Sequence, residues 1–333
     1  ECLPMTLTLG NFLKQVGQEK PGTRHILFMP TAEGPCRFGQ YNLLERIVFH
    51  RLGLDNVEIL SPTSRNTYQG LPEELRRQLM HALTASDVLF KMRSKIKPYE
   101  RTRGDVDELF EKSLGRLEKL LEKKEKPLKL IKEFASAFAS IDTVKYKKPL
   151  VGIVGEIYIR CNAFANGDLV GMIEKSGGEV WLAPLHEWFI YTAYMERRPL
   201  AKMNYKNMLK AIRSLVNNYY LFKIERDYYR AASEILYDRV EPHIDRLLNV
   251  GGEYVPEKFR GEAILTIGRA VLFARQGAAM VINAAPFGCM PGTLSSAILL
   301  EIKDKFKIPF LSLFYDGDIN INDKVTSLLK TLL

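Results

Sequence analysis

Glycine-rich phosphate loops, paired cysteines and long apolar runs are all missing from this 333-residue chain. Arg, Lys or Glu interrupts every apolar stretch before it reaches membrane-spanning length, so no transmembrane helix and no membrane partner are expected. Residues 1–24 lack a basic region followed by an apolar one, which leaves no secretory signal to read there. Gly152-Ile153-Val154-Gly155-Glu156 and Gly251-Gly252 make neither G-x-G-x-x-G nor a P-loop, so the chain gives no sign of a bound nucleotide. Its five histidines, His25, His50, His81, His186 and His243, sit in no motif that would pair one with a cysteine nucleophile. Cysteine itself is scarce. Cys2, Cys36, Cys161 and Cys289 are too few and too scattered for a secreted disulfide framework, and a reducing cytoplasm is the expected compartment.

The formal net charge of +9 permits an anionic partner, but no RNA- or DNA-binding motif accompanies it. Much of the charge lies in Lys112 to Lys132, where Glu and Lys alternate at helical spacing, the pattern of a solvated helix face. Nucleic acid is therefore not an expected partner. The chain opens on Glu1 rather than Met, beside a candidate site cysteine, which reads as a piece of something longer.

What the chain does carry is a repeated device. In Pro286-Phe287-Gly288-Cys289-Met290-Pro291-Gly292-Thr293, an apolar run gives way to a tight loop, a cysteine and a helix start. Pro suits the first turn of a helix because its missing N–H has no partner to lose there. Cys2-Leu3-Pro4-Met5-Thr6-Leu7 and Cys289-Met290-Pro291-Gly292-Thr293-Leu294 share the pattern C-x-P-x-T-L. A thiol at a helix N-terminus meets the positive end of the dipole, so these cysteines are expected to favour the thiolate. Cys36 also lies between a strand, His25 to Pro30, and a helix from about Tyr41 to Arg51 with Leu43, Leu44, Ile47 and Val48 on one side. Cys161 has no proline–helix signature and reads as a packing residue.

Helical residues 4–18 precede the turn Lys20-Pro21-Gly22, and Val57 to Leu60 makes a second short strand. From Leu71 to about Ile141 the pattern is helical almost throughout, and Tyr146 to Pro149 suits a crossover. The second half alternates strands near 150–154, 180–183, 279–283 and 309–314 with helices, one of them spanning Phe259 to Arg275. Alternation of this kind predicts an α/β fold with parallel sheets. Two domains are expected: 1–148, carrying the helical block at about 71–141, and 149–333. In open parallel sheets ligands bind beyond the carboxyl ends of the strands. There the chain places Cys36 with Arg37, Glu156 with Arg160, Cys289, and Asp316. Three thiols at helix starts can ligate a soft metal centre, either an iron–sulfur cluster or zinc, with one coordination position open. Glu156, Arg160 and Arg37 are the groups expected to hold polar substrate atoms or protons beside it.

Glu1-Cys2-Leu3-Pro4 with Thr8 and Gly10, then Pro30-Thr31 and Gly34-Pro35-Cys36-Arg37-Phe38-Gly39-Gln40-Tyr41, then Gly155-Glu156-Ile157-Tyr158-Ile159-Arg160 and Phe287 to Gly292, occur in that order. Together they resemble the 2-hydroxyacyl-CoA dehydratase D-component family, most closely the dehydratase-like region of activase-related proteins. The resemblance covers nearly the whole chain and implies two flavodoxin-like parallel-sheet lobes facing a cleft. It also implies a 4Fe-4S cubane held by Cys2, Cys36 and Cys289, an ATP-dependent activase as electron donor, and an acyl-CoA thioester as substrate. In such enzymes the cluster relays an electron to a 2-hydroxyacyl thioester, which then loses its hydroxyl. Double-cubane relatives need more cysteines than this chain has, so a single cluster is expected. The alternative is an electron-transfer or regulatory partner of the activase that turns over no substrate. A dimer is among the expected assemblies.

Overall fold

A computed structural model describes residues 2–333 apart from 21, 33, 35, 64–70, 201–207 and 318–319; the side chains of 196–200, 208–211, 213, 214 and 320 also lie outside the description. Glu1, Pro21, Pro35 and part of the helical stretch after Glu187 are thus outside the described residues.

The chain begins with helix α1 (Leu3–Gln18), strand β1 (His25–Phe28), a 3-10 turn at Arg37–Gln40, helix α2 (Tyr41–Arg51) and strand β2 (Val57–Leu60). β1 and β2 pair in parallel as a two-stranded sheet, with His25 opposite Val57 and Phe28 opposite Leu60. Met5, Leu27, Met29, Tyr41, Phe49 and Ile59 form their core. Leu43, Leu44 and Ile47 do not join it. They are exposed, and α2 instead turns Tyr41, Glu45 and Phe49 inward, one side chain per helical turn.

Three long helices follow, α3 (Glu73–Ile96), α4 (Asp105–Glu122) and α5 (Leu128–Ala139). The second half then supplies β3 (Leu150–Gly155), α6 (Ile157–Cys161), α7 (Leu169–Lys175), β4 (Glu179–Leu182), α8 (His186–Leu200), α9 (Met208–Ala231), α10 (Ser233–Leu236), α11 (Ile244–Gly252), α12 (Ala263–Arg275), β5 (Met280–Pro286), α13 (Met290–Phe306), β6 (Phe310–Tyr315) and α14 (Asp323–Lys330). These strands make one parallel sheet in the order β4-β3-β5-β6. β3 and β5 are buried along their whole length, as expected for strands covered on both faces. One face packs with α3, α5, α9, α11 and α12, where Leu89, Ile131, Phe138, Tyr228, Leu247 and Phe273 are buried in a single cluster. Residues 71–141 therefore share their core with the second half of the chain rather than with β1 and β2. The other face packs with α7 and α14 through Leu169, Ile173, Val325 and Leu329.

The strand order fixes where a site can lie. From β3 the chain moves outward to β4, then returns to β5 on the opposite side, so the direction reverses between β3 and β5. Crevices outside the carboxyl ends at such a reversal are where open α/β sheets bind ligands. α1 closes the crevice from the first half, packing Leu3 and Leu7 on the four-stranded sheet's cluster and Phe12, Leu13 and Val16 on that of β1 and β2.

Gly155 ends β3 with φ of +111°, and a Cβ there would run into the backbone of Ala284 on β5. Gly155→Ala is expected to cost about 2–3 kcal/mol, from left-handed strain plus the clash, measurable as a lowered urea midpoint.

Candidate functional site

Cys2, Cys36, Glu156 and Cys289 occupy the same structural position in four different segments, the residue just before a helical turn. Cys2 precedes α1, Cys36 precedes the 3-10 turn, Glu156 precedes α6 and Cys289 precedes α13. Each has extended backbone angles, and Pro sits in the first turn of both α1 and α13, so the C-x-P-x-T-L repeat folds alike at both places.

The four segments meet. All three thiols lie within the charge field of Glu156, Cys36 is within that of Cys2, and Cys289 is within that of Cys36. A Cβ on Gly288 would lie 3.9 Å from the Arg37 guanidinium, which brings the loop after β1 against the loop after β5. Tyr41 donates a 2.9 Å hydrogen bond to Cys2 Sγ, and Cys289 Sγ accepts one from Gly292 N–H at 3.4 Å. Cys289 is buried, Cys2 half-buried and Cys36 exposed. Glu156 caps α6 by accepting hydrogen bonds from Tyr158 N–H at 3.1 Å and Ile159 N–H at 2.9 Å.

The thiols are not thiolates in this environment, which corrects the expectation from helix dipoles. Burial pushes Cys289 up to about 12, and the protein packed around Cys36, although its surface is exposed, raises that thiol to about 11, with the negative charges of Glu156 and Glu262 adding to both shifts. Cys2 is also raised by burial, despite the hydrogen bond from Tyr41. Removal from water acts on the whole thiolate charge, whereas a helix end supplies only about half a charge. Among the described residues no three of His, Cys, Asp and Glu gather closely enough to hold a single metal ion.

Arg160 lies at the centre of the strand ends, 5% exposed. Its guanidinium donates to the carbonyls of Ala183 at 3.2 Å, Pro184 at 3.1 Å and Gly155, and pairs with Glu262 at 3.2 Å. The side chain thus ties the ends of β3 and β4 together and braces Glu262. Arg37 is exposed beside Gly288, and Asp316 is exposed just after β6. Cys161, expected in the packing, is solvent-accessible at the end of α6, although enough protein surrounds it to raise its thiol to about 12.

Glu262 was not anticipated. It precedes α12, yet makes no capping bond to its own helix; its carboxylate turns to Arg160. Burial, and after it the charge of Glu156, raise it to about 8 against the opposing pull of Arg160. A sequence signal existed. Gly155-Glu156 and Gly261-Glu262 are both a glycine of positive φ followed by a glutamate at a helix start.

The chain matches no family model, no curated protein and no solved structure. Among the described residues no helix is long and apolar enough to cross a membrane.

Proposed function

We propose that the crevice between the carboxyl ends of β3 and β5 is the seat of a 4Fe-4S cluster held by Cys2, Cys36 and Cys289, in a cytoplasmic protein of the 2-hydroxyacyl-CoA dehydratase type. The observation that carries this reading is the convergence of three cysteines, each the residue before a helical turn, on the charge field of one glutamate at the reversal of strand order. The donor set fits the group. Thiolates are the ligands of iron–sulfur clusters, and a cubane takes each thiolate on a different iron, so its ligands need not crowd around one point. Zinc needs its donors around a single ion, which these thiols are not. Thiols that burial keeps protonated release their protons to a bound cation.

With three cysteine ligands, such a cluster supplies low-potential electrons and one open iron. The chain's own residues then have distinct tasks. Arg160 fixes the strand ends, Glu156 sets the local negative charge, Tyr41 orients Cys2, and Arg37 stands at the entrance as the cation for an acidic or thioester-bearing ligand. In this reading β1, β2, α1 and α2 represent the first of two flavodoxin-like lobes, and the four-stranded sheet is the second. An ATP-dependent activase is the electron donor.

Anaerobic reconstitution tests the proposal directly. Wild type is expected to take up about four iron and four sulfide per chain. Cys36→Ser and Cys289→Ser are expected to lose most of both, while Cys161→Ser keeps them. Equal iron in all four proteins would overturn the ligand set. Formation of enoyl product from 2-hydroxyacyl thioesters by the reduced protein marks a dehydratase, and reversible reduction without product marks an electron carrier.

A further inference from the structure

His186 opens α8 with its side chain completely buried, and nothing in the crevice chemistry uses it. Its ring meets a carboxylate at each nitrogen. Nδ1 lies 2.6 Å from Asp87 Oδ2 on α3, and Nε2 lies 3.0 Å from Glu225 Oε1 on α9. Asp87 Oδ2 also accepts the backbone N–H of His186 at 2.8 Å. A neutral imidazole has one donor and one acceptor, so it would turn a bare lone pair on one of the two carboxylates. The imidazolium donates from both nitrogens and satisfies both partners. Three helices, α3, α8 and α9, therefore meet on one ring.

The groups around the ring agree with that state. α3 brings Asp87 and, one turn on, Lys91; α9 brings Glu225 and, one turn on, Tyr229, whose ring centroid is 6.3 Å from that of His186. Lys91 lies within the field of both carboxylates, and its own ion pair is with Glu241, which also takes Arg269 and the Tyr229 hydroxyl. Arg239, within the field of Lys91, pairs with Glu179. Glu187, next to His186 on α8, is held by Arg269 of α12. α11 meets α8 two turns further along, where Asp245 accepts from Tyr194 OH. The Cys161 thiol of α6 feels the Asp87 charge and is raised, hence neutral. Among the described residues, His186 is the cation that bonds directly to Asp87 and to Glu225.

We propose that His186 is a proton-held pin, a buried imidazolium that locks the start of α8 to α3 and α9 at neutral pH and lets go of α9 when alkali removes its proton. In the release hydroxide takes the proton on Nε2 and becomes water, because Asp87 holds Nδ1 more closely. The ring left neutral turns the Nε2 lone pair on the Glu225 carboxylate, and attraction becomes repulsion. The pinned segment follows β4. Arg160 holds the carbonyls of Ala183 and Pro184 just before it, and Ala183, Glu187 and Trp188 line the small cavity behind the strand ends. The pin thus sets one wall of that region from outside the cysteine set, whatever the crevice binds.

Burial lowers the proton affinity of the ring, and the hydrogen bonds and charges of Asp87 and Glu225 more than reverse it, so the pKa of His186 is raised. An unfolded histidine titrates at about 6.5. The stability that the pin contributes is therefore whole below about 6.5 and is lost as pH rises through the raised folded value. Nitrogen NMR of protein labelled in its histidine rings tests the charge. At pH 7 one ring is expected to show two protonated nitrogens, to turn into the Nδ1–H tautomer in alkali, and to be missing from His186→Gln. Asp87→Asn and Glu225→Gln are each expected to move that transition down by about one pH unit or more, a tenfold loss of proton affinity. A neutral His186 ring at pH 7 overturns the proposal, because a carboxyl is then supplying one of the protons. Should the variants fail to fold, the wild-type spectrum decides alone: no imidazolium left at about pH 7.5, one unit above the ordinary value, refutes the pin.

Hydrogen exchange tests the release, read at the amides of 186–190 and of α9 around Glu225 and corrected for the faster exchange of every amide in base. Protection there is expected to fall about tenfold or more across the titration of the ring, and to fall at a correspondingly lower pH in Glu225→Gln. Protection that stays level while the ring loses its proton overturns the release. Neither measurement involves iron, so a crevice that takes up none leaves this result standing.

Discussion

Arg160→Leu is expected to destabilise the protein by about 3–5 kcal/mol, seen as a lower urea midpoint at unchanged slope. Leucine fills much of the volume but removes every donor. The carbonyls of Gly155, Ala183 and Pro184 then lose a partner in a buried place, and Glu262 loses its counter-charge. Each orphaned carbonyl costs about 1–3 kcal/mol before relaxation, so the total lies at the upper end of single-substitution effects. Arg160→Lys is expected to recover little. One ammonium group cannot reach two sides of a strand end and a carboxylate at once, which the planar fork of arginine does. A loss below about 1 kcal/mol in Arg160→Leu would show that solvent reaches the strand ends and that the guanidinium is not what holds them.

That result bears on the site as much as on stability. Arg160 was read from sequence as a group for a substrate, since it follows a strand by a few residues. The structure commits its donors to β3, β4 and Glu262, so its part in any chemistry is to position others.

The residues that were legible share one property: their roles are local. Cys2 and Cys289 announce helix starts through the proline two residues on, and β3 and β5 announce burial through apolar runs that only Asn283 interrupts. α13 begins at Met290, one residue before the proline expected to open it, and Pro286, read as part of the loop, is instead the last residue of β5. What was not legible depends on partners distant in sequence. Glu262 lay inside a helix expected from Phe259, and nothing nearby shows that α12 starts only at Ala263 so that the glutamate can face Arg160, 102 residues earlier. The thiol protonation states were misread for the same reason. A helix start is visible in a pentapeptide, but the loss of water around Cys289 is a property of the assembled crevice. Lys112 to Lys132 read as a solvated helix face, and Lys112, Lys119 and Lys123 are exposed, because a charge pattern at helical spacing is local too.

Arg269→Met is the second substitution with a large expected effect, and it tests what holds α12 in place. Arg269, on α12, pairs with Glu187 at the start of α8 and with Glu241 before α11, and Glu241 in turn pairs with Lys91 and accepts 2.8 Å from Tyr229 OH. All four charged groups are at most 8% exposed at their side chains. Burial and the nearby Arg160 push Arg269 down to about 9, which still leaves it charged at neutral pH. Methionine removes that charge and strands Glu187, at an expected cost of about 3–5 kcal/mol. Glu187→Met/Arg269→Met is expected to recover most of the loss, because a buried pair replaced by apolar volume is close to neutral, and Glu241 keeps Lys91. The double-mutant cycle should therefore give a coupling of about 1–3 kcal/mol between Glu187 and Arg269. Additive losses would mean that Glu187 finds water through the small cavity beside it when its partner goes.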